Sequence, residues 1–331
     1  MKSQERSENM KKKLMLLAMI IVLSITLLGC WGAKELNTLG IVTAVGLDIE
    51  GDEIVATFEI IKLKPSSGSS DSGGSDNVKY IQARGKTVFE AVRNASLVFD
   101  RRIYLSHNQV YIIGEELAKK GLTPFLDFLQ RDHECRETAY LLVSKGKKAY
   151  EIMGFSPGIA DLQGNYIRDT LNNHKLTSKS VAINITEYFK NYYNAGIQPV
   201  IGIIQVKEKK YEKDMETKKK DKYELSTEGA AVFNKEKLVG YLNGMETKGY
   251  NYVRNKIKNG IIEFPTPSIN SRKSTNPRTA GDVNYISDLG IKDFTVVEVI
   301  KSSTKNKVDI QNRKVILEVN VKIRGILGEV S

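Results

Sequence analysis

The chain has 331 residues, of which 27% are charged and 41% hydrophobic, and it carries a formal charge of +11. That composition is globular rather than disordered or collagenous, and the length suffices for two or three domains. With only Cys30 and Cys135 available, a disulfide-dense scaffold is excluded.

The sharpest pattern lies at the amino terminus. Met1 to Lys13 is polar and holds Lys2, Arg6, Lys11, Lys12 and Lys13; Leu14 to Leu28 is apolar apart from Ser24 and Thr26; Gly29 and Cys30 follow. Basic, then apolar, then small residues is the order of an export signal. The apolar run falls short of the roughly 20 residues that a membrane-crossing helix needs. Leu27-Leu28-Gly29-Cys30 has the form of a lipobox. Small Gly29 lets the signal peptidase reach the scissile bond, and the Cys30 thiol takes a diacylglyceryl group before becoming the first mature residue. A plain transmembrane anchor is the alternative. Several acyl chains, at about 0.8 kcal/mol per buried methylene, hold a protein on a membrane effectively for good.

Residues 1–29 are therefore expected to be a signal peptide, whose five basic and two acidic residues leave +8 on the mature part. Such a charge suits an anionic membrane surface. Nucleic acid, the other usual partner of a basic chain, is out of reach of an exported, anchored protein. Once Cys30 is acylated, Cys135 has no intramolecular disulfide partner.

In the mature chain, Ile41 to Leu63 reads as a hairpin turned at Glu50-Gly51-Asp52. Pro65 to Asn77 is a Gly/Ser/Asp tract expected to form a mobile loop. A strand follows at Val78 to Ala83. Thr87 to Asp100 is the clearest helix, with Thr87 and Glu90 as a capping box and Val88, Ala91, Val92, Ala95, Val98 and Phe99 on one face. Then come a strand at Gln109 to Ile113, a short helix from Glu115 stopped by Gly121, and a helix to Arg131 with Thr123 as N-cap and Pro124 first. Further on, the pattern predicts a strand at Ala139 to Val143 and helical segments at Ala149 to Met153, Leu162 to Asn173 and Thr186 to Asn194. A buried strand is predicted at Pro199 to Val206.

Lys207 to Lys222 is charged at most positions. It is either a solvated strand extension or an interdomain linker, and the linker is favoured. A hairpin at Glu228 to Leu242 is expected to open a second unit, followed by an amphipathic helix at Glu246 to Lys258. Residues 266–290 look irregular, and strands are predicted at Phe294 to Lys301 and Val315 to Ile323. Strands and helices alternate without a regular βαβ rhythm, so the expected class is α+β.

Chemistry is sparse. His107, His133 and His174 sit in no metal-ligand spacing, and no GxSxG, P-loop or GxGxxG is present. Asp132-His133-Glu134-Cys135 invites a metal ion, but successive side chains diverge on a helix or a strand; a polar helix end with a packed Cys135 is the expectation. His107 and Asn108 suit a turn better than a binding loop. Arg101 and Arg102 fit the negative end of a helix dipole. Tyr188, Tyr192 and Tyr193, at helical spacing, are expected to pack on a core. Neither catalytic residues nor a cofactor is expected, and the chain reads as a binding or assembly component.

The stretch from Cys30-Trp31-Gly32-Ala33-Lys34-Glu35-Leu36-Asn37 into IVTAVGLDIEGDEIVATFEI resembles the start of the Ger(x)C family, the C subunits of spore germinant receptors. RGKTVFEAVRNASLVFDRRIYLSHNQVYIIGEELAKKGLTPFLDFLQRDHECRETAYLLVSKGKKAYEIM resembles that family's most characteristic block. STEGAAVFNKEKLVGYLNGMETKGYNYVRNK resembles the opening of its carboxy-terminal region.

The resemblance implies successive mixed α/β domains and no enzymatic activity. It implies a lipoprotein on the outer surface of the spore inner membrane, working with an A-type and a permease-like B-type membrane subunit. The expected organisation is a signal peptide at 1–29, amino-terminal α+β structure at 30–206, a charged linker at 207–225 and a carboxy-terminal α+β domain at 226–331. Family members continue for several tens of residues past Ser331, so the last domain is expected to be truncated, with an unpaired sheet edge and an uncovered apolar face. A lipoprotein that holds a small solute by itself is the alternative, and a deep pocket with convergent polar groups would mark it.

Overall fold

A computed structural model describes residues 2–26, 35–62, 77–155, 162–208, 223–265, 294–311 and 314–330. The chain forms two compact units, Met1–Leu39 and Gly40–Ser331. The first contains helix α1 (Lys2–Thr26). Among the described residues no helix is long and apolar enough to cross a membrane. The Leu27 to Cys30 lipobox lies outside the described residues, as do the Gly/Ser tract at 63–76, the charged stretch at 209–222 and the segment at 266–293.

The second unit begins with a hairpin. Strand β1 (Leu39–Glu50) turns through Gly51, whose φ of 61° suits glycine, into β2 (Glu53–Ile61). After β3 (Val78–Gly85) comes helix α2 (Val88–Asn94), capped by the Thr87 hydroxyl, which accepts the Glu90 N–H at 3.1 Å. The Glu90 carboxylate returns to the Lys86 N–H at 2.8 Å, one residue short of a full capping box. This helix is shorter than its apolar pattern suggests. It tightens into a 3₁₀ turn at Ala95–Leu97, and Val98 and Phe99 leave the helical face.

Strands β4 (Arg102–Tyr104) and β5 (Val110–Gly114) follow, then α3 (Glu115–Lys120), ended by Gly121 at φ 131°, and α4 (Thr123–Arg131). Thr123 is the first helical residue of α4 rather than its cap; Leu122 holds the cap position. Strand β6 (Tyr140–Lys145) leads into helices α5 (Ala149–Met153), α6 (Gln163–Asn172) and α7 (Ile185–Tyr192). The last is capped by Asn184, the side chain accepting the Glu187 N–H at 2.8 Å.

Strand β7 (Val200–Glu208) is followed by β8 (Tyr223–Ser226), β9 (Ala230–Asn234) and β10 (Lys237–Leu242). Then come α8 (Gly244–Val253), capped reciprocally by Asn243 and Glu246, and strands β11 (Gly260–Pro265), β12 (Phe294–Gln311) and β13 (Lys314–Val330).

The expected mixture of α and β structure is observed, with a parallel centre. The main sheet runs β10-β9-β7-β6-β5-β1-β2-β3, with β4 beside β1 and β8 beside β7. Strands β1, β5, β6 and β7 are parallel, in the registers Leu47↔Ile113, Ile112↔Leu142 and Val143↔Ile203. They are buried on both faces, and Val110 to Ile113 is accordingly apolar at every position. One face packs α2, α3, α4 and α7, through Val92, Leu117, Phe125 and Tyr188; the other packs α5 and α6, through Ile152, Ile167 and Leu171.

Two pairings cross the division expected at 207–225. The ends of the charged stretch are strand, with Lys207 opposite Glu224 and Glu208 opposite Tyr223. The hairpin at 230–242 adds to the main sheet, with Val200 opposite Val232, rather than starting a separate one. A second, antiparallel sheet consists of β11-β12-β13.

Candidate functional site

The carboxyl ends of β1, β5 and β6 frame a cleft of about 460 Å³ lined by Asp48, Glu50, Glu115, Lys119, Lys148 and Glu151, among others. Its charges answer one another. Asp48 accepts the Ala149 and Tyr150 N–H groups at 2.8 and 3.1 Å. Glu50 bridges Arg84 at 2.6 Å and Lys148 at 2.7 Å. Glu115 takes Lys119 at 2.7 Å and the Gly146 N–H at 3.0 Å, and Glu151 accepts the Lys148 N–H at 2.8 Å. Burial pushes the Asp48 carboxyl above its ordinary range, while the hydrogen bond from Lys148 holds Glu50 below its own. These donors and acceptors fix α5 to the ends of β1 and β5, so most of the cleft's charged groups are already paired with one another. A second cavity, of about 30 Å³ beside His174, Ser178 and Asn251, has room for a water molecule.

The residues that drew attention in the sequence are scattered. Cys30 lies outside the described residues. In the Asp132 to Cys135 run the side chains part, as expected of neighbours. Asp132 accepts the Glu134 N–H at 2.8 Å, while Glu134 is buried against Arg102 at 2.7 Å. His133 faces solvent, and the Cys135 thiol lies 3.5 Å from the Tyr111 hydroxyl, pushed up to about 12 by burial. Among the described residues no group of three His, Cys, Asp or Glu side chains is placed to hold a metal ion.

Arg102 therefore serves an ion pair rather than a helix end; α2 stops at Asn94 with Arg93 in its last turn. His107 sits in a turn, its ring 5.9 Å from that of Tyr104, and Asn108 is buried there with its N–H on the Leu105 carbonyl. His174 turns Nδ1 to the Leu171 carbonyl, and burial lowers its pKa. Tyr188 is fully buried and Tyr192 packs on the same core, stacked on Tyr188 at 6.0 Å. Tyr193 is exposed.

The largest feature that sequence reading placed only in part is the β12–β13 hairpin. Its register sets Val308 opposite Leu317, Ile310 opposite Val315 and Thr304 opposite Val321. Opposed residues share a face, so Val308, Ile310, Val315, Leu317, Val321 and Ile323 form one apolar face. The other carries Lys305, Lys307, Glu318, Asn320 and Lys322. The base of the apolar face meets α8, where Thr304 N–H reaches Asn255 at 2.9 Å and Asn306 reaches the Val253 carbonyl at 2.9 Å. Beyond that base its aliphatic side chains are exposed. Contiguous apolar surface of this kind is a contact surface, for a partner or for further chain of the same domain.

Comparison with known proteins decides the family. Residues 32–206 match the family described as "Spore germination protein N-terminal domain", and residues 228–331 match "Spore germination B3/ GerAC like, C-terminal". The chain belongs to the Ger(x)C family of spore germination proteins. Spore germination protein KC of Bacillus subtilis (strain 168) is 31% identical over 95% of this chain and 75% of its own. Spore germination protein B3 of the same organism is 26% identical over 92% and 72%. The crystal structure of the GerBC protein aligns with a TM-score of 0.39 at 20% identity, covering 86% of this chain and 71% of that one. In this Ger(x)C protein the main sheet runs unbroken across the division between the two family regions, because β8, β9 and β10 join β7.

Proposed function

We propose that this Ger(x)C protein is the lipid-anchored C subunit of a nutrient germinant receptor. In this role it sits on the outer surface of the spore inner membrane and serves assembly or signalling beside A-type and B-type integral membrane subunits, without catalysing a reaction. One observation carries the proposal: the family match starts at residue 32, directly after the Cys30 lipobox, and continues through both family regions to residue 331. The cleft lends little to a solute-binding lipoprotein, because most of its charged groups are paired with one another.

Two measurements test it. Mass spectrometry of the mature amino terminus from spore membranes should find Cys30 as residue one, carrying diacylglycerol, and Cys30→Ala should release the protein or leave it unprocessed. Capture of the intact lipoprotein from detergent-solubilised spore membranes should bring down two integral membrane proteins. Unmodified Cys30 in a membrane-held protein would overturn the anchor, and capture of the lipoprotein alone would overturn the receptor role.

A further inference from the structure

At the end of the sheet where β1 begins, two adjacent aliphatic side chains stand in solvent: Leu97 is 81% exposed and Val98 60%. Single exposed aliphatics are ordinary; a neighbouring pair, held outward on both sides, is not. Ala95 before them is fully buried. Phe99 after them packs on the core and lies flat on Gly40, where an added Cβ would come within 2.6 Å of the ring. With both flanks fixed, the tip has no room to turn its side chains inward. Cations lie on aromatic rings of the same region. The Lys79 ammonium is 5.0 Å above the Phe99 ring and the Arg93 guanidinium 4.7 Å above Phe89, itself exposed. Asp100 is the one acidic residue between positions 91 and 101, against Arg93 and Arg101.

We propose that this Leu97–Val98 tip is a second contact with the bilayer, its aliphatic groups seated at the headgroup boundary and its cations among anionic lipids. The inference rests on the lipid anchor proposed at Cys30. Ten residues separate Cys30 from Gly40, which limits the reach between them to about 35 Å whatever path the chain takes. Gly40 touches Phe99, and Phe99 adjoins the tip, so an acylated Cys30 leaves the tip within reach of the membrane. Aliphatic side chains beside Lys and Arg are the chemistry of an interfacial contact, and anionic lipid adds attraction. A tip of two residues has too little area for a stable protein interface, which favours lipid as its occupant.

The chain has a single tryptophan, Trp31, so an introduced indole can be read without interference. Full-length acylated protein carrying Trp31→Phe and Leu97→Trp is placed on vesicles of mixed phosphatidylglycerol and phosphatidylcholine with brominated acyl chains. The emission from position 97 should shift to the blue and lose half or more of its intensity. The same protein with Val239→Trp instead of Leu97→Trp is the control. Val239 is 62% exposed on β10, at the opposite edge of the main sheet from β3, and its emission should not change. Protein retained on washed vesicles with position 97 as unquenched as position 239 overturns the tip contact while leaving the anchor intact. Protein lost from the vesicles overturns the anchor, and this inference with it. A blue shift that appears only with the integral membrane partners present, and without quenching by bromine, assigns the tip to protein and also overturns the inference.

Discussion

The carboxylate of Glu59, buried in β2, accepts the backbone N–H of Gly164 at 2.9 Å from 105 residues away. The same group accepts the Gln163 N–H at 2.6 Å, the Thr43 hydroxyl at 2.6 Å and the Tyr80 hydroxyl at 3.0 Å. A charge buried on four donors, two of them at the positive end of α6, is fully satisfied. Glu59→Ala should therefore leave buried donors unpaired and cost at least about 3 kcal/mol. Gly164→Ala should fail separately, since its Cβ would lie 2.6 Å from the Thr43 carbonyl carbon. Urea unfolding checks both; a Glu59→Ala loss below about 0.5 kcal/mol, the range of an ordinary surface change, would mean that the helix is held elsewhere.

Phe99→Ala is the informative change at the α2 end. A fully buried Phe→Ala costs about 3–5 kcal/mol, and the half-buried Phe99 ring should cost about half of that. Leu97→Ser, two residues away and exposed, should leave thermal unfolding unchanged. Equal midpoints for Phe99→Ala and wild type would remove Phe99 from the core.

Local patterns in this chain were legible, and long-range pairings were not. Gly51 between two β-branched runs announces its hairpin, and Asn184 with Glu187 announces the start of α7, because turns and caps are decided within four residues. Val98 and Phe99 sit at helical spacing yet leave the helix, and Phe99 packs against Gly40, a contact 59 residues away in sequence that no local period encodes. The parallel pairing of β1 with β5 depends on contacts more than sixty residues apart, which no local period encodes. The charged composition of 207–222 hid the fact that β7 and β8 pair across it. Glu59 did give a signal that went unused: a lone carboxylate between Phe58 and Ile60, in an apolar run, must find buried donors. Asp48 between Leu47 and Ile49 gives the same signal.

Asp48 and Glu50 should respond to pH in opposite senses. The Asp48 pKa is raised from 3.8, so its contribution to stability is full below that value and is lost as pH rises through the folded-state pKa. Asp48→Asn does not titrate, and it should be less harmful at pH 7 than at pH 3. The Glu50 pKa is lowered from 4.5, so its contribution is present above that value and is lost as pH falls through the folded-state pKa. Lys148→Met removes the main cause and should move the Glu50 carboxyl resonance toward its ordinary midpoint. An NMR titration in which Glu50 does not move would disconnect it from Lys148.

Cys135 should be inert in the folded protein. With its thiol at about 12, against about 8.5 for a free thiol, the thiolate fraction at pH 8 falls by roughly a thousandfold. Maleimide labelling of Cys30→Ala protein should be slow until denaturant is added. Rapid labelling without denaturant would place Cys135 at the surface.

The β12–β13 hairpin separates stability from assembly. Val308 and Leu317 oppose each other on its apolar face, and both are exposed. Val308→Asp with Leu317→Lys puts charge in the middle of that face while keeping an opposite-charge pair across the strands, a contact that antiparallel pairs favour. Because neither side chain is packed, the unfolding midpoint should stay near that of wild type. Recovery of the integral membrane partners in detergent capture should fall tenfold or more. On the opposite face, Lys307→Ala with Lys322→Ala removes two charges and no apolar area, and should leave recovery within about threefold, as expected of rim charges. A double variant with a normal unfolding midpoint and full partner recovery would show that the apolar face is not where the partners bind. If partner recovery stayed normal while wild-type protein sedimented as a dimer and the variant as a monomer, the face would instead belong to a second copy of this chain.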